Sequence, residues 1–320
     1  MIRYLLEIQK KQSVQQKNTF MFSKKNFAFI AAFLVQLFYG ITFTFANDVI
    51  DGGFIKPYGF ILLRLLGATV LFWIFSFFVP KEKIASKDFL IFIAAAFFGV
   101  ALNMLTFFKG LSYTTPINAS VIMVVVPIIV LLLSAFILKE TITSMKIIGV
   151  ILGLSGALVL TLYGKSVQAN DNILLGNFLV FINAVSYSIY IIIIKQLTSR
   201  YHPFTFIKWL FLFGLIMVTP FGFNELSEVQ WGTFNAYTYF SVGFVIVAAT
   251  FGTYILNPLA LRELKASTVS TFLYLQPVIA GIFAILMGSD SMSVTKIVAA
   301  VLIFIGVYLV SKPSKLSKTT

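Results

Sequence analysis

The feature of this sequence that most restricts its fold is the recurrence of long, almost uncharged apolar stretches. Ten such stretches recur along the 320 residues, and most reach the ~20 residues that a helix needs to cross a ~30 Å hydrocarbon layer. They cover residues 27–46, 57–79, 89–108, 114–138, 147–163, 176–194, 203–222, 237–257, 267–287 and 296–311. Charged residues make up only 11% of the chain, less than half of the roughly one quarter that is typical of soluble proteins. The sequence therefore predicts an integral membrane protein.

The stretches predict helices rather than strands. Continuous apolar runs lack the two-residue alternation of a membrane β-barrel, and lipid leaves no backbone polar group unpaired. Most prolines stand near the ends of the stretches, and only Pro127 and Pro277 lie well inside one. The glycines of Gly149-x-x-x-Gly153 predict close helix packing of the fifth span, with the tenth as partner. The predicted fold class is an all-α integral membrane protein with ten transmembrane helices.

Lysine and arginine are distributed unevenly over the loops. With the N-terminus in the cytoplasm, the inner segments contain eighteen of them and the outer segments four, Lys56, Lys109, Lys165 and Lys296. The positive-inside rule then places both termini on the cytoplasmic side of the cell (inner) membrane. The net charge of +13 is thus interpreted as a topology signal, and no nucleic-acid partner is predicted.

The two internal prolines mark a repeat. A shift of 150 residues aligns residues 110–160 with residues 260–310 without a gap. The identities that fix the register are Pro127/Pro277, Lys146/Lys296, Ile147/Ile297 and Gly156/Gly306. Each repeat contains five spans, an odd number, so the second repeat is inverted relative to the first. Inverted repeats usually enclose a substrate site near the bilayer midplane, which indicates a transporter.

The repeated segment contains several motifs with counterparts in the second half. They are Gly-Leu-Ser-Tyr-Thr-Thr at 110–115, Asn-Ala-Ser at 118–120, Pro127 and Lys139-Glu140, with Ala260-Leu261, Ala266-Ser267, Pro277 and Lys296 to Gly306 as counterparts. With these residues the segment resembles the EamA-type carriers of the drug/metabolite transporter superfamily. The resemblance covers residues 27–311 and implies ten helices that export or import small organic solutes. The halves differ at one motif, since Glu140 follows the fourth span whereas Gly288-Ser-Asp290 stands in the second repeat.

The predicted organisation has five parts. They are a basic cytoplasmic tail at 1–26, a first five-helix repeat at 27–163, a linker at 164–175, a second five-helix repeat at 176–312 and a cytoplasmic tail at 313–320. The first tail lacks the separate apolar region of a cleavable signal peptide, and Met21 is an alternative start.

Polar residues within spans six, eight and nine follow the spacing i, i+3, i+4, i+7, which places them on one helix face. The three stripes are Asn183, Ser186, Tyr187 and Tyr190; Thr250, Thr253, Tyr254 and Asn257; and Ser267, Ser270, Thr271 and Tyr274. One interpretation is that such side chains join helices, since hydroxyls and amides are common at membrane helix contacts. Three full stripes favour instead a polar cavity, closed by spans one and three. The predicted substrate-binding residues are Gln36, Tyr39, Arg64, Asn103, Asn183, Tyr187, Thr250, Tyr254, Ser270, Thr271 and Tyr274.

Arg64 lies in the second span, seven residues after Pro57 and about 10 Å into the layer at 1.5 Å per residue. A guanidinium in hydrocarbon costs at least about 2.5 kcal/mol, so it needs a partner or a wet cavity. Two interpretations remain open. Arg64 either anchors a carboxylate or phosphate of the solute, or it reaches the outer headgroups or helix-end carbonyls.

The residue inventory argues against other functions. The chain has no cysteine and one histidine, His202, so no metal and no cofactor are predicted. All eleven carboxylates lie in loops or at the ends of spans, which removes the usual relay of a proton-coupled carrier. The chain is predicted not to be an enzyme but a metabolite or drug transporter that moves small polar or amphipathic organic solutes by alternating access. The alternatives are a membrane-embedded enzyme that acts on lipid-like substrates and a non-transporting receptor or assembly subunit.

Overall fold

The computed structural model describes residues 24–42, 45–46, 48–50, 52–79, 81–114, 116–162, 172–286 and 293–312. The predicted tails lie almost entirely outside these residues, as do Met21, most of the linker and the Gly288-Ser-Asp290 motif. Within the described ranges the regular structure is helical, and ten spans follow one another in the predicted order. The predicted fold class is thereby confirmed.

Eight of the spans each form one continuous helix. Their first and last residues are α1 Lys24–Thr42, α2 Pro57–Ser76, α3 Asp88–Leu111, α5 Ser144–Leu162, α6 Ile173–Leu197, α7 Pro203–Ser227, α8 Ala236–Glu263 and α10 Val294–Ser311. The other two are broken: α4 consists of Pro116–Met123 and Val126–Ile137, and α9 of Ala266–Thr271, the 3₁₀ turn Phe272–Tyr274 and Leu275–Leu286. A short 3₁₀ turn, Trp231–Thr233, precedes α8. The helices α6, α7 and α8 extend past the predicted spans because hydropathy marks only the lipid-covered part of a helix, whereas polar residues can continue it into the interface.

Two irregularities recur in both repeats, 150 residues apart. A π-helical segment interrupts α3 at Phe97–Ala101 and α8 at Val247–Gly252. The breaks in α4 and α9 also correspond, and each precedes one of the internal prolines. Because Pro127 and Pro277 have no N–H, the carbonyls four residues earlier cannot receive the usual helical hydrogen bond. The repeat therefore extends beyond the segment that identical residues align.

Equivalent helices of the two repeats pack against each other, α2 on α7 and α5 on α10. In the second pair glycines bring the backbones together. A Cβ atom on Gly149 would lie 2.7 Å from the carbonyl oxygen of Gly306, and a Cβ on Gly306 would lie 2.5 Å from that of Gly149. A Cβ on Gly156 would lie 2.6 Å from the carbonyl oxygen of Ala299. The predicted close packing of the fifth span against the tenth is confirmed.

The helices alternate in direction, so the loops divide between two ends of the bundle. We call the end at which α1 begins and α10 ends the basic face, because it contains most of the loop lysines and arginines. On this face Asp88, at the start of α3, accepts hydrogen bonds from Arg200 at 3.3 Å and Tyr201 at 2.7 Å in the α6–α7 loop. Burial lowers the pKa of the neighbouring His202, which is therefore neutral at pH 7.

The other end, which we call the opposite face, has an exposed ion pair among its contacts. Lys56 forms an ion pair with Glu228 at 2.6 Å, although both side chains are more than half exposed, at 64% and 59%. This contact raises the pKa of Lys56. Glu225 accepts the backbone N–H of Gly59 at 2.9 Å. Both contacts join α7 to the start of α2, so each face has contacts between the repeats.

Candidate functional site

Side chains from both repeats converge around Arg64 of α2. Its Nε donates a hydrogen bond to the Thr250 hydroxyl of α8 at 3.1 Å, and the side chain is buried, with 9% exposed. Tyr39 and Tyr254 are close enough to interact with the guanidinium electrostatically. Among the residues that the structure describes, no carboxylate forms an ion pair with Arg64. A positive charge thus lies between the repeats with no counterion from that part of the chain.

Three tyrosines form a row beside Arg64. The ring centroids of Tyr187 and Tyr190 are 6.0 Å apart, and those of Tyr190 and Tyr254 are 5.8 Å apart. The Tyr187 hydroxyl accepts a hydrogen bond from Asn257 at 3.3 Å. The Tyr190 hydroxyl is buried and has no hydrogen-bond partner within the described ranges. We call these side chains the central cluster: Tyr39, Arg64, Tyr187, Tyr190 and Tyr254.

The π-helical segments supply groups to this cluster. A π turn adds one residue to a helix and displaces carbonyls from the regular ladder, and such turns are frequent at functional sites. In α3 the carbonyl oxygen of Gly99 accepts the Tyr254 hydroxyl at 2.8 Å. In α8 the residue that binds Arg64, Thr250, lies within the π segment and donates to the carbonyl of Val245 at 2.7 Å. Each irregular segment therefore contacts a helix of the other repeat at the cluster.

Two pairs of amide side chains connect the surrounding helices. Asn103 of α3 and Asn183 of α6 each donate to the other's backbone carbonyl, at 3.4 and 2.6 Å. Gln276 of α9 donates to the side-chain oxygen of Gln36 in α1 at 2.8 Å. These contacts match the helix-joining interpretation. One acceptor remains unsatisfied, since the Asn183 Oδ1 atom is buried without a hydrogen-bond partner in the described structure.

The third predicted stripe makes different contacts. The hydroxyls of Ser270 and Thr271 donate to the carbonyl of Ser267 on their own helix, at 3.2 and 2.7 Å. The ring of Tyr274 packs against Gly153 of α5. The structure thus brings the stripes of α6 and α8 together around Arg64, but the described contacts of the α9 stripe do not lead to the cluster.

Comparison with known proteins identifies the family. The model of the EamA-like transporter family matches residues 26–162 and again residues 174–312, which together are most of the chain. The protein belongs to the EamA-like transporter family. The resemblance seen in the sequence is confirmed, and the chain is a multi-pass membrane transporter.

Two relatives of this EamA-like transporter match it over nearly their whole length. An uncharacterized transporter of Archaeoglobus fulgidus is 28% identical over 277 residues, which are 87% of this chain and 96% of the relative. The uncharacterized transporter YyaM of Bacillus subtilis is 25% identical over 292 residues, 88% of this chain and 93% of the relative. A solved crystal structure with 14% identity superposes with a TM-score of 0.73 over 90% of this chain and 96% of its own. That likeness shows a shared fold.

The list of predicted substrate-binding residues of this EamA-like transporter omits three residues that the structure places in the region, although two of them belong to the predicted stripes. Tyr190 lies seven residues after Asn183, so the helical spacing does signal it. Thr253 interacts with the phenol of Tyr39 and is signalled by the α8 stripe in the same way. Gln276 is signalled only by being an amide within an apolar stretch. Among the described residues, no group of three or more histidine or carboxylate side chains is arranged to hold a metal ion.

Proposed function

We propose that this EamA-like transporter moves a small polar or amphipathic organic solute that carries an anionic group. The observation that supports this most is the environment of Arg64, a buried guanidinium between the repeats with one described hydrogen-bond partner, Thr250. A fixed charge in a low-dielectric site attracts a counterion strongly. The guanidinium fork matches the geometry of a carboxylate or phosphate, so the solute's own anion is the expected counterion.

The tyrosine row fits the rest of such a solute. A tyrosine ring offers an apolar face with a polar hydroxyl at its tip, and small-molecule sites combine apolar walls with a few well-placed polar groups. The free hydroxyl of Tyr190 and the free Oδ1 of Asn183 are a donor and an acceptor available in the region. The proposed solute is therefore anionic at one end, with a largely apolar or aromatic body.

Alternating access between the repeats is the proposed mechanism. Inverted repeats place a fixed site between two halves that rock to open one end at a time. The described carboxylates lie in loops or at helix ends, with Asp88 at the first turn of α3 and Glu263 at the last turn of α8. With no described carboxylate in mid-span to relay protons, flux is expected to run down the solute gradient or by exchange.

We further propose that the basic face is cytoplasmic and that the protein resides in the cell (inner) membrane. Because the chain contains no cysteine, single cysteines can report sidedness without background. Cysteines at Gly53 and Ser227, on the opposite face, should react with an impermeant thiol reagent in intact cells, whereas cysteines at Ser86 and Ser199 should not. Labelling of the second pair from outside would reverse the orientation.

A ligand screen tests the solute class. Ligands that bind only the folded state stabilise it by RT ln(1 + L/Kd), where L is the free ligand concentration, and so raise the melting temperature. Purified protein can therefore be screened by thermal shift against amino acids, nucleosides, sugars, organic anions and organic cations. The proposal predicts hits among organic anions. Hits confined to cations would contradict it. A non-transporting receptor would show the same binding but no flux in reconstituted vesicles.

The two buried tyrosine hydroxyls without described partners form a matched pair for testing the site. Tyr190→Phe removes a hydroxyl at the cluster, and one lost hydrogen bond to the solute costs about 0.5 to 1.5 kcal/mol, which is roughly a 2- to 12-fold loss of affinity. Tyr274→Phe removes the same group from the ring that packs against Gly153, away from the cluster, and should leave affinity unchanged. Both variants should keep the melting temperature of the ligand-free protein. Equal affinities in both variants would show that Tyr190 does not bind the solute.

A further inference from the structure

A buried ion pair on the basic face ties the first repeat to the second. Glu140 of the α4–α5 loop and Lys146 of the first turn of α5 are 3.2 Å apart, and their side chains are only 8% and 7% exposed. Glu140 also accepts the backbone N–H of Ala266 at 2.8 Å and the hydroxyl of Ser267 at 2.5 Å, both in the first turn of α9. Lys146 donates to the same hydroxyl at 2.7 Å. One carboxylate thus connects both repeats through three donors.

Glu140 performs for α9 the task of a helix cap. The first N–H groups of a helix have no partner within it, and they attract negative charge. The residue in the capping position of α9, Lys265, makes no capping hydrogen bond with its side chain. The carboxylate from the other repeat therefore satisfies the start of α9. If the repeats separate on this face, α9 loses its cap and the buried pair is opened to water.

The equivalent positions on the opposite face cannot form the same contacts. The shift of 150 residues relates Glu140 to Asp290 and Lys146 to Lys296, so both charges recur in sequence. It relates Ala266 and Ser267 to Pro116 and Ile117. Proline has no N–H and isoleucine has no hydroxyl, so the two donors that the other repeat supplies to Glu140 are missing from the equivalent positions.

We propose that Glu140, Lys146 and Ser267 form a latch that holds the basic face closed, so that the carrier rests with its opposite face open to solute. Contacts made in one conformation only shift the equilibrium towards that conformation. The described ion pair between the repeats on the opposite face, Lys56 with Glu228, is exposed to water, where such pairs contribute little. This inference rests on the proposed alternating-access mechanism and specifies which face of the carrier is closed at rest.

Cysteine accessibility tests the latch directly. A single cysteine at Asn103, beside the central cluster, is labelled with an impermeant thiol reagent in right-side-out and in inverted vesicles. In Glu140→Gln and Ser267→Ala, labelling through the basic face should rise at least about fivefold, the lower end of typical coupling between states. Labelling through the opposite face should fall. Glu228→Gln is the matched control and should change neither rate. Unchanged rates in both latch variants would overturn the proposal.

A cross-link gives a second test that does not depend on the stability of the single variants. The variant with Glu140→Cys and Ser267→Cys should be joined by a short bifunctional methanethiosulfonate reagent, which spans the length of the lost glutamate side chain, fixes the basic face closed and is released by reductant. Solute flux should then be lost and should return on reduction, while the thermal shift by solute persists. Full flux in the cross-linked protein would show that this contact does not open during transport. Absence of flux in the unmodified protein would instead refute the proposed carrier, so the two failures are distinguishable.

Discussion

Arg64→Ala is expected to lower the affinity for an anionic solute roughly 10- to 150-fold, because hydrogen bonds to charged groups contribute about 1.5 to 3 kcal/mol. The protein should still fold, since the structure describes no carboxylate that the variant would leave unpaired next to this position. Solute-dependent thermal shift measures the affinity, and vesicle flux at fixed solute concentration should fall in parallel.

Two comparisons make the Arg64 result specific. Arg64→Lys keeps the charge but loses the fork, so it should bind more weakly than the unmodified protein and more tightly than the alanine variant. Lys208→Ala removes another cation within a span, one that lies over the Trp73 ring at 5.1 Å, and should leave solute affinity unchanged. Unchanged flux in Arg64→Ala would assign this arginine a structural role in joining α2 to α8.

Gly306→Ala is expected to destabilise the protein by about 1 to 3 kcal/mol, the usual cost of overpacking. The cost can be higher here because the new methyl group would meet backbone atoms, which cannot rotate away as a side chain can. The new methyl group would lie 2.5 Å from the carbonyl oxygen of Gly149 and 2.7 Å from the amide nitrogen of Gly153, so α5 and α10 must move apart. Van der Waals packing is one of the forces that associate helices in membranes, and small residues strengthen it by letting the backbones approach closely. The melting temperature in detergent should fall by several degrees.

A second glycine provides the control for this packing. A Cβ atom added to Gly243 of α8 would meet no other atom within 4 Å, so Gly243→Ala should not clash. Alanine is the better helix former by about 1 kcal/mol, and the melting temperature of Gly243→Ala should stay equal or rise slightly. A normal melting temperature for Gly306→Ala would show that α5 and α10 are not in the close contact described.

The spans and the repeat were predictable because each rests on a signal that does not depend on tertiary contacts. The length of an apolar stretch reports the thickness of lipid, and Pro127 and Pro277 lack an N–H whatever packs around them. The glycines of α5 predicted close packing for the same reason, since an absent side chain permits approach. The ends of α6, α7 and α8 were placed too early because polar residues such as Lys195 continue the helix beyond the lipid.

The site was predictable only in part. Spacing showed which residues share a helix face, and the faces of α6 and α8 do meet beside Arg64. Spacing does not show which helix each face meets, and the contacts of Tyr274 run to Gly153 of α5 instead. The π segments had no signal in composition, although they position Thr250. The free hydroxyl of Tyr190 depends on its neighbours and could only be found from the structure.

The most direct test of an alternating-access carrier is solute counterflow in proteoliposomes. Vesicles are loaded with a high concentration of an organic anion found by thermal shift, and a trace of the labelled anion is added outside. Exchange through one alternating site predicts that label accumulates transiently above its outside concentration, equally with and without an imposed pH gradient. Specific binding without counterflow would contradict the carrier, and accumulation that requires the pH gradient would show that a loop or helix-end carboxylate takes part in proton coupling.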